Sequence, residues 1–149
     1  MVADALAGAR QPWWIIGSAA VVLHGADVTV GDVDVLLSED DALAMFPVLG
    51  LAAAAGEGTA LFRSAVFARW TVPLLTVEFM AGFELRADDG WCVVQPATRE
   101  RVMVGDHALF VPERAELIAT LEGFGREKDL ARIKALSPSG ERVGRRGER

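Results

Sequence analysis

Two aspartates, Asp32 and Asp34, stand one residue apart inside an otherwise apolar run, Asp-Val-Asp-Val-Leu-Leu, that ends at Leu37. An extended strand suits this pattern, because alternation sends both carboxylates to one face and Val33 and Val35 to the other. Two like charges held side by side raise the pKa of one of them unless solvent, a partner or a cation relieves the repulsion. Hard oxygen donors at this spacing suit Mg²⁺, which binds through one or two carboxylates plus substrate phosphates. Taken alone, an Asp-Val-Asp is most simply two solvent-facing residues at a strand mouth. The rest of the chain has to decide.

Upstream, Pro12 resets the chain and Trp13 to Ile16 reads as a buried strand. Gly17-Ser18 then separates that strand from a short helix, Ala19 to His24, with Ser18 as its cap and Gly25 as its stop. Free N–H groups at such a turn can hold a phosphate, and glycine permits close approach. Downstream, Glu78 falls inside the apolar run Leu74 to Met80, where a carboxylate is costly unless paired, hydrated or metal-bound. If that strand neighbours the Asp32 strand, three carboxylates converge; Glu84 and Asp88 are the substitutes if the register differs. Between Arg10 and Arg63 there is no Lys or Arg, whereas seven acidic residues fall there, so a cation is the natural missing partner.

The remaining pattern alternates helices and strands. Residues 2 to 9 are Ala-rich and read as helix. Ser38 caps a second helix whose first turn is acidic, with helical character running on through Ala55 and interrupted around Pro47. Gly56-Glu57-Gly58 is a turn, and Leu61 to Val72 and Leu74 to Met80 form a hairpin around Pro73. A polar turn, Arg86 to Gly90, leads to Trp91 to Val94, and a short extended piece follows at Ala108 to Val111. Two helices close the pattern, one opened by Pro112-Glu113-Arg114 and one spanning Arg126 to Leu136. The expectation is an α/β (α+β) chain: a short mixed β-sheet flanked by helices, with C-terminal helices alongside, over residues 1–136, and a flexible basic tail over 137–149.

With 52% apolar residues and a mean hydropathy of +0.29, 149 residues can bury a substantial core. Four of the fifteen basic residues lie in the tail, so the body is strongly acidic. That excludes a mainly basic body gripping nucleic acid by phosphate neutralisation, but not a nucleotide held through a metal ion. The single cysteine, Cys92, and the lack of a leader pattern point to the cytoplasm, and no apolar stretch is long enough to span a membrane. His24, His107 and Cys92 are too scattered for a zinc site, and Trp13 and Trp14 read as core. Arg63 and Arg69 project to one face of their strand. Arg126, Lys128, Arg132 and Lys134 give the last helix a basic side, which reads equally well as a solvated face interleaved with Glu127 and Asp129.

Ile15-Ile16-Gly17-Ser18-Ala19-Ala20-Val21-Val22-Leu23-His24-Gly25, followed by Asp32-Val33-Asp34-Val35-Leu36-Leu37, resembles the signature of the DNA polymerase beta-type nucleotidyltransferase superfamily. More narrowly it resembles the small bacterial members found in toxin-antitoxin and phage-defence pairs, and Arg126-Glu127-Lys128-Asp129-Leu130 is similar to a segment common among them. The resemblance implies nucleotide-phosphate binding by Gly17, Ser18 and Lys128. It also implies that Asp32, Asp34 and Glu78 are the catalytic carboxylates and ligands of two Mg²⁺ ions roughly 4 Å apart. The reaction implied is transfer of a nucleoside monophosphate from a nucleoside triphosphate to a hydroxyl of RNA, a protein or a small molecule. Small members often carry a basic residue shortly before the first aspartate, where this chain has Asp27, Val28, Thr29 and Val30. That departure favours the alternative, a catalytically inactive member acting as a binding or antitoxin-like partner of another protein.

Overall fold

The computed structural model describes residues 1–54 and 58–137. The turn expected at Gly56-Glu57 and nearly all of the basic tail lie outside the described residues. A short helix α1 (Val2–Ala5) precedes β1 (Trp14–Ile16), α2 (Gly17–Leu23), β2 (Asp32–Leu36) and α3 (Glu39–Met45). Then come β3 (Phe62–Trp70), β4 (Thr76–Ala87), β5 (Gly90–Val93), β6 (Glu100–Val104) and β7 (His107–Val111). Helices α4 (Arg114–Phe124) and α5 (Glu127–Leu136) complete the described chain.

The sheet is mixed and short, in the order β1-β2-β4-β3, with β5 also paired to β4; β6 and β7 form a separate ribbon. Strand β4 organises the rest. It pairs antiparallel with β3 from Leu85 to Val77, while its other partners divide its length: β2 runs parallel to Thr76–Met80 and β5 antiparallel to Glu84–Ala87. Phe79 at its centre is fully buried, between the rings of Phe46 and Trp70 at centroid distances of 5.8 and 6.0 Å.

Val21, Phe46, Leu117, Leu121 and Leu136, all buried, belong to the core that the sheet and helices share. Polar groups close the gaps between elements. Asp41 accepts the backbone N–H groups of Arg10 (3.0 Å) and Gln11 (2.9 Å), tying the chain before β1 to α3. These bonds, with one from Ser38, hold the Asp41 carboxyl below its usual range in spite of burial. Glu116 does the same for the loop before β6, taking the N–H groups of Ala97 and Thr98 at 2.7 Å each.

Several elements differ from the sequence reading. Ser18 caps nothing: α2 begins at Gly17, and Ser18 is buried in its first turn. Helix α1 stops at Ala5, and α3 ends at Met45 and does not continue towards Ala55. Pro47 has no N–H to bond back into α3, and the chain turns away through Gly50 at φ 73°. Strand β4 runs past Met80 to Ala87 because Gly82 does not end it. Gly82 sits inside the strand at φ 63°, where an added Cβ would lie 2.8 Å from that of Ala65. The tight turn is thereby reduced to Asp88-Asp89, and β6 was not anticipated. Ser38 does cap α3, accepting from the Asp41 N–H at 3.1 Å.

Because Phe79 packs between two rings at the centre of β4, Phe79→Ala should destabilise the protein by about 3–5 kcal/mol, measured by urea unfolding. A loss below about 1 kcal/mol would show that the sheet is not organised around this strand.

Candidate active site

Strand pairing assembles the acidic group. In the parallel β2–β4 ladder Asp34 lies opposite Glu78 and Asp32 opposite Thr76. On the other side of β2, Ile16 of β1 lies opposite Asp34, which brings the following Gly17 against the same carboxylate. Gly17 has φ +69°, and a Cβ built there would stand 2.9 Å from Asp34 Oδ2. Only glycine gives both the left-handed turn and the room. A carboxylate oxygen thus abuts the backbone that begins α2.

The electrostatics follow from this placement. Asp34 is pushed up to about 7, first by burial, then by Glu78 and Asp32, against a smaller pull from Arg132 and Arg126. Glu78 is ion-paired across the β3–β4 ladder: Arg69 donates to its Oε2 from Nε at 3.0 Å and Nη2 at 2.7 Å. Glu84, the substitute considered from sequence, is instead bound by Arg63 at 2.6 Å, six residues further along the same ladder.

Gly17, Ser18, Asp32, Asp34 and Glu78 line one cavity of about 550 Å³. It is also lined by Arg63 and Arg69 from β3, by Arg126 just before α5, and by Lys128 and Arg132 within that helix. Arg63 and Arg69, which the sequence placed together on a strand face, therefore face the acidic group. The sequence treated Asp129 as one member of a solvated helix face. It is in fact fully buried, held by Arg126 and Arg132. The i,i+3 spacing was the available signal, but burial cannot be read from it.

Asp32 and Asp34 fit a hard cation: two oxygen-donor side chains face one cavity, and one of them is held against its own repulsion. Among the described residues, however, no group of three or more His, Cys, Asp or Glu side chains is arranged to hold a metal ion. Glu78 adjoins the pair but is engaged by Arg69. The cation expected from the basic gap between Arg10 and Arg63 is met in part by arginines from later in the chain. His24 packs with Nε2 2.8 Å from the Pro112 carbonyl, and neither it nor His107 lines the cavity.

No protein-family profile matches the chain, and no curated protein does. Solved structures do. A Thermotoga maritima protein assigned to the nucleotidyltransferases aligns with a TM-score of 0.69 at 20% identity, covering 93% of this chain and 89% of the other. The lincosamide antibiotic adenylyltransferase LnuA, with lincomycin bound, aligns at 0.60 and 13% over 91% of this chain and 92% of its own. ANT(2")-Ia in complex with adenylyl-2"-tobramycin aligns at 0.56 and 12%, covering 91% of this chain and 83% of the other.

What the chain shares with these nucleotidyltransferase structures is the fold. The similarity is to the fold as a whole and singles out no toxin-antitoxin or phage-defence subgroup. No helix among the described residues is long and apolar enough to cross a membrane.

A raised carboxyl pKa has a definite sign in stability. Between the unfolded value of 3.8 and about 7, the folded chain holds a proton at Asp34 that the unfolded chain releases. Stability therefore falls as pH rises through that window, and the full penalty is present above it. Asp34→Asn should raise the melting temperature by roughly 5 °C at pH 8 and by much less at pH 5. An Asn variant less stable than wild type at pH 8 would mean that the charge is structurally satisfied. Gly17→Ala should lower the melting temperature, and Asp34→Gly in the same chain should recover part of the loss by removing the clashing oxygen.

Proposed function

We propose that this chain is a divalent-metal-dependent nucleotidyltransferase that moves a nucleoside monophosphate from a nucleoside triphosphate to an acceptor hydroxyl. The observation that carries this is the Asp34 carboxylate. It is held beside Asp32 and Glu78 and against the Gly17 backbone, in a cavity also lined by Arg63, Arg69, Arg126, Lys128 and Arg132. Asp32 and Asp34 are the proposed ligands of Mg²⁺, with Glu78 as a third once Arg69 releases it. Mg²⁺ bound there would neutralise the carboxylates and draw charge from the phosphate oxygens.

The chain's own groups would do the rest. N–H groups at Gly17 and Ser18 would hold phosphate oxygens at the start of α2, and Lys128 would balance charge on the triphosphate. The acceptor oxygen attacks the α-phosphorus, the bond from that phosphorus to the bridging oxygen breaks, and pyrophosphate leaves. Glu78 would take the hydroxyl proton. The acceptor is RNA, a protein or a small molecule. Two of the similar structures favour the last, since their names describe an adenylylated tobramycin and a lincosamide adenylyltransferase. A cytoplasmic setting would supply both triphosphate and Mg²⁺.

A second reading is favoured by the Arg69–Glu78 pair and by the absence of a basic residue just before Asp32. It is an inactive member of the fold, of the antitoxin-like kind, that binds a partner protein.

Ligands that bind the native state raise its melting temperature. Wild type should therefore gain stability with at least one nucleoside triphosphate in the presence of Mg²⁺, and Asp32→Asn/Asp34→Asn should not. No shift with any nucleotide would exclude the enzyme and leave the partner-binding reading.

A further inference from the structure

Asp129 is a fully buried carboxylate with two cationic partners. Arg126 donates to it twice, from Nε to Oδ2 at 2.6 Å and from Nη2 to Oδ1 at 2.9 Å, in the bidentate geometry that fixes a guanidinium plane. Arg132 reaches the same Oδ1 through Nη1 at 3.5 Å. Arg126 also lies against a pair of rings packed edge-to-face on each other, its guanidinium carbon 4.9 Å from the centroid of Phe62 and 5.6 Å from that of Phe124. Both arginines line the cavity that holds Asp34.

Capping alone does not explain this arrangement. Asp129 Oδ2 does accept the Arg126 backbone N–H at 3.1 Å, as a capping carboxylate would. A cap needs one acceptor oxygen at a solvent-facing helix start, whereas here a whole side-chain carboxyl group is withdrawn from water and engages two guanidiniums. Asp129 lets two like-charged arginines stand together on the cavity wall at the first turns of α5, and it leaves N–H donors on both that it does not engage. The charge of both arginines acts on Asp34, which lines the same cavity.

We propose that Asp129 is a positioning residue that holds Arg126 and Arg132 as a paired clamp for a polyphosphate chain, the cationic element that the segment before Asp32 lacks. Assigning that chain to a nucleoside triphosphate rests on the nucleotidyltransfer reading; the clamp itself does not. Positioning and plain electrostatics differ in sign at Asp129. Asp129→Asn adds one unit of positive charge to the cavity wall, so charge alone would tighten anion binding. Positioning requires the opposite, because the asparagine retains an oxygen for the Arg126 N–H but loses the bidentate grip on the Arg126 side chain and the charge that holds Arg132.

The test is calorimetric titration of the full chain with sodium tripolyphosphate, free of metal and at low ionic strength where exposed charges are least screened. The set comprises wild type, Asp129→Asn, Arg126→Gln, Arg132→Gln and Lys134→Gln; Lys134 is an exposed cation of α5 that does not line the cavity. Wild type and Lys134→Gln should bind alike. Each arginine variant should bind about 10-fold or more weakly, the worth of a charge-assisted hydrogen bond, and Asp129→Asn should also bind more weakly. Should Asp129→Asn fail to fold, the two arginine variants against Lys134→Gln decide the matter. Equal or tighter binding by Asp129→Asn overturns the proposal, as do arginine variants no weaker than Lys134→Gln, or a wild type that does not bind. Tripolyphosphate binding with the expected losses, but no response to any nucleoside triphosphate with Mg²⁺, would uphold the clamp and reject the nucleotidyltransfer reading.

Discussion

The contact between the Gly17 backbone and the Asp34 carboxylate is the constraint on which the site depends. It exists because β1 and β4 flank β2 on opposite sides. One delivers the start of α2 to one side of Asp34, and the other delivers Glu78 to the other side. The result opposes folding of the free chain, since a half-buried carboxylate with two acidic neighbours is disfavoured as an anion. Stability supplied elsewhere, above all by the aromatic packing around Phe79, sustains it. Local strain of this kind concentrates at sites that meet a ligand.

The cavity is also divided by charge. Its acidic side comes from the strands β2 and β4, and its basic side from the edge strand β3 and from α5. A strongly acidic chain thus presents a local cationic wall, assembled from residues far apart in sequence, and net charge gave no indication of it. Buried Asp129 keeps two of those cations in one place, whereas Arg63 and Arg69 are each balanced by a glutamate across the ladder. An anion with several phosphates and a cation between them would complement both sides.

Strand alternation and one helix cap were legible, whereas the cap read at Ser18, the lengths of α1 and α3 and the contacts between distant elements were not. Period-two alternation identified the Asp32–Asp34 strand, and punctuation by Gly17-Ser18 marked the turn that abuts it. Ser38 as a cap was equally plain, because capping is decided within four residues. That Glu78 lies beside Asp34 depended on β4, the second strand of its hairpin, inserting next to β2, and strand order is not encoded in alternation. Strand β6 was missed because four of its five residues are exposed, so it carries no buried face to produce a pattern. Asp129 was missed for the opposite reason: an alternation of Arg, Glu, Lys and Asp reads as solvated surface, and only the packing of α5 against the rest of the fold withdraws one of them from water. The carry-through at Gly82 depended on the neighbouring Ala65, a contact between strands.

Anomalous diffraction from crystals of the full chain, grown with Mn²⁺ and a non-hydrolysable nucleoside triphosphate analogue, tests the central claim most directly. An anomalous peak within bonding distance of carboxylate oxygens of both Asp32 and Asp34, absent from Asp34→Asn crystals grown identically, is the expected result. Ordered nucleotide with no metal at that pair, or metal bound only at other carboxylates, would contradict the account.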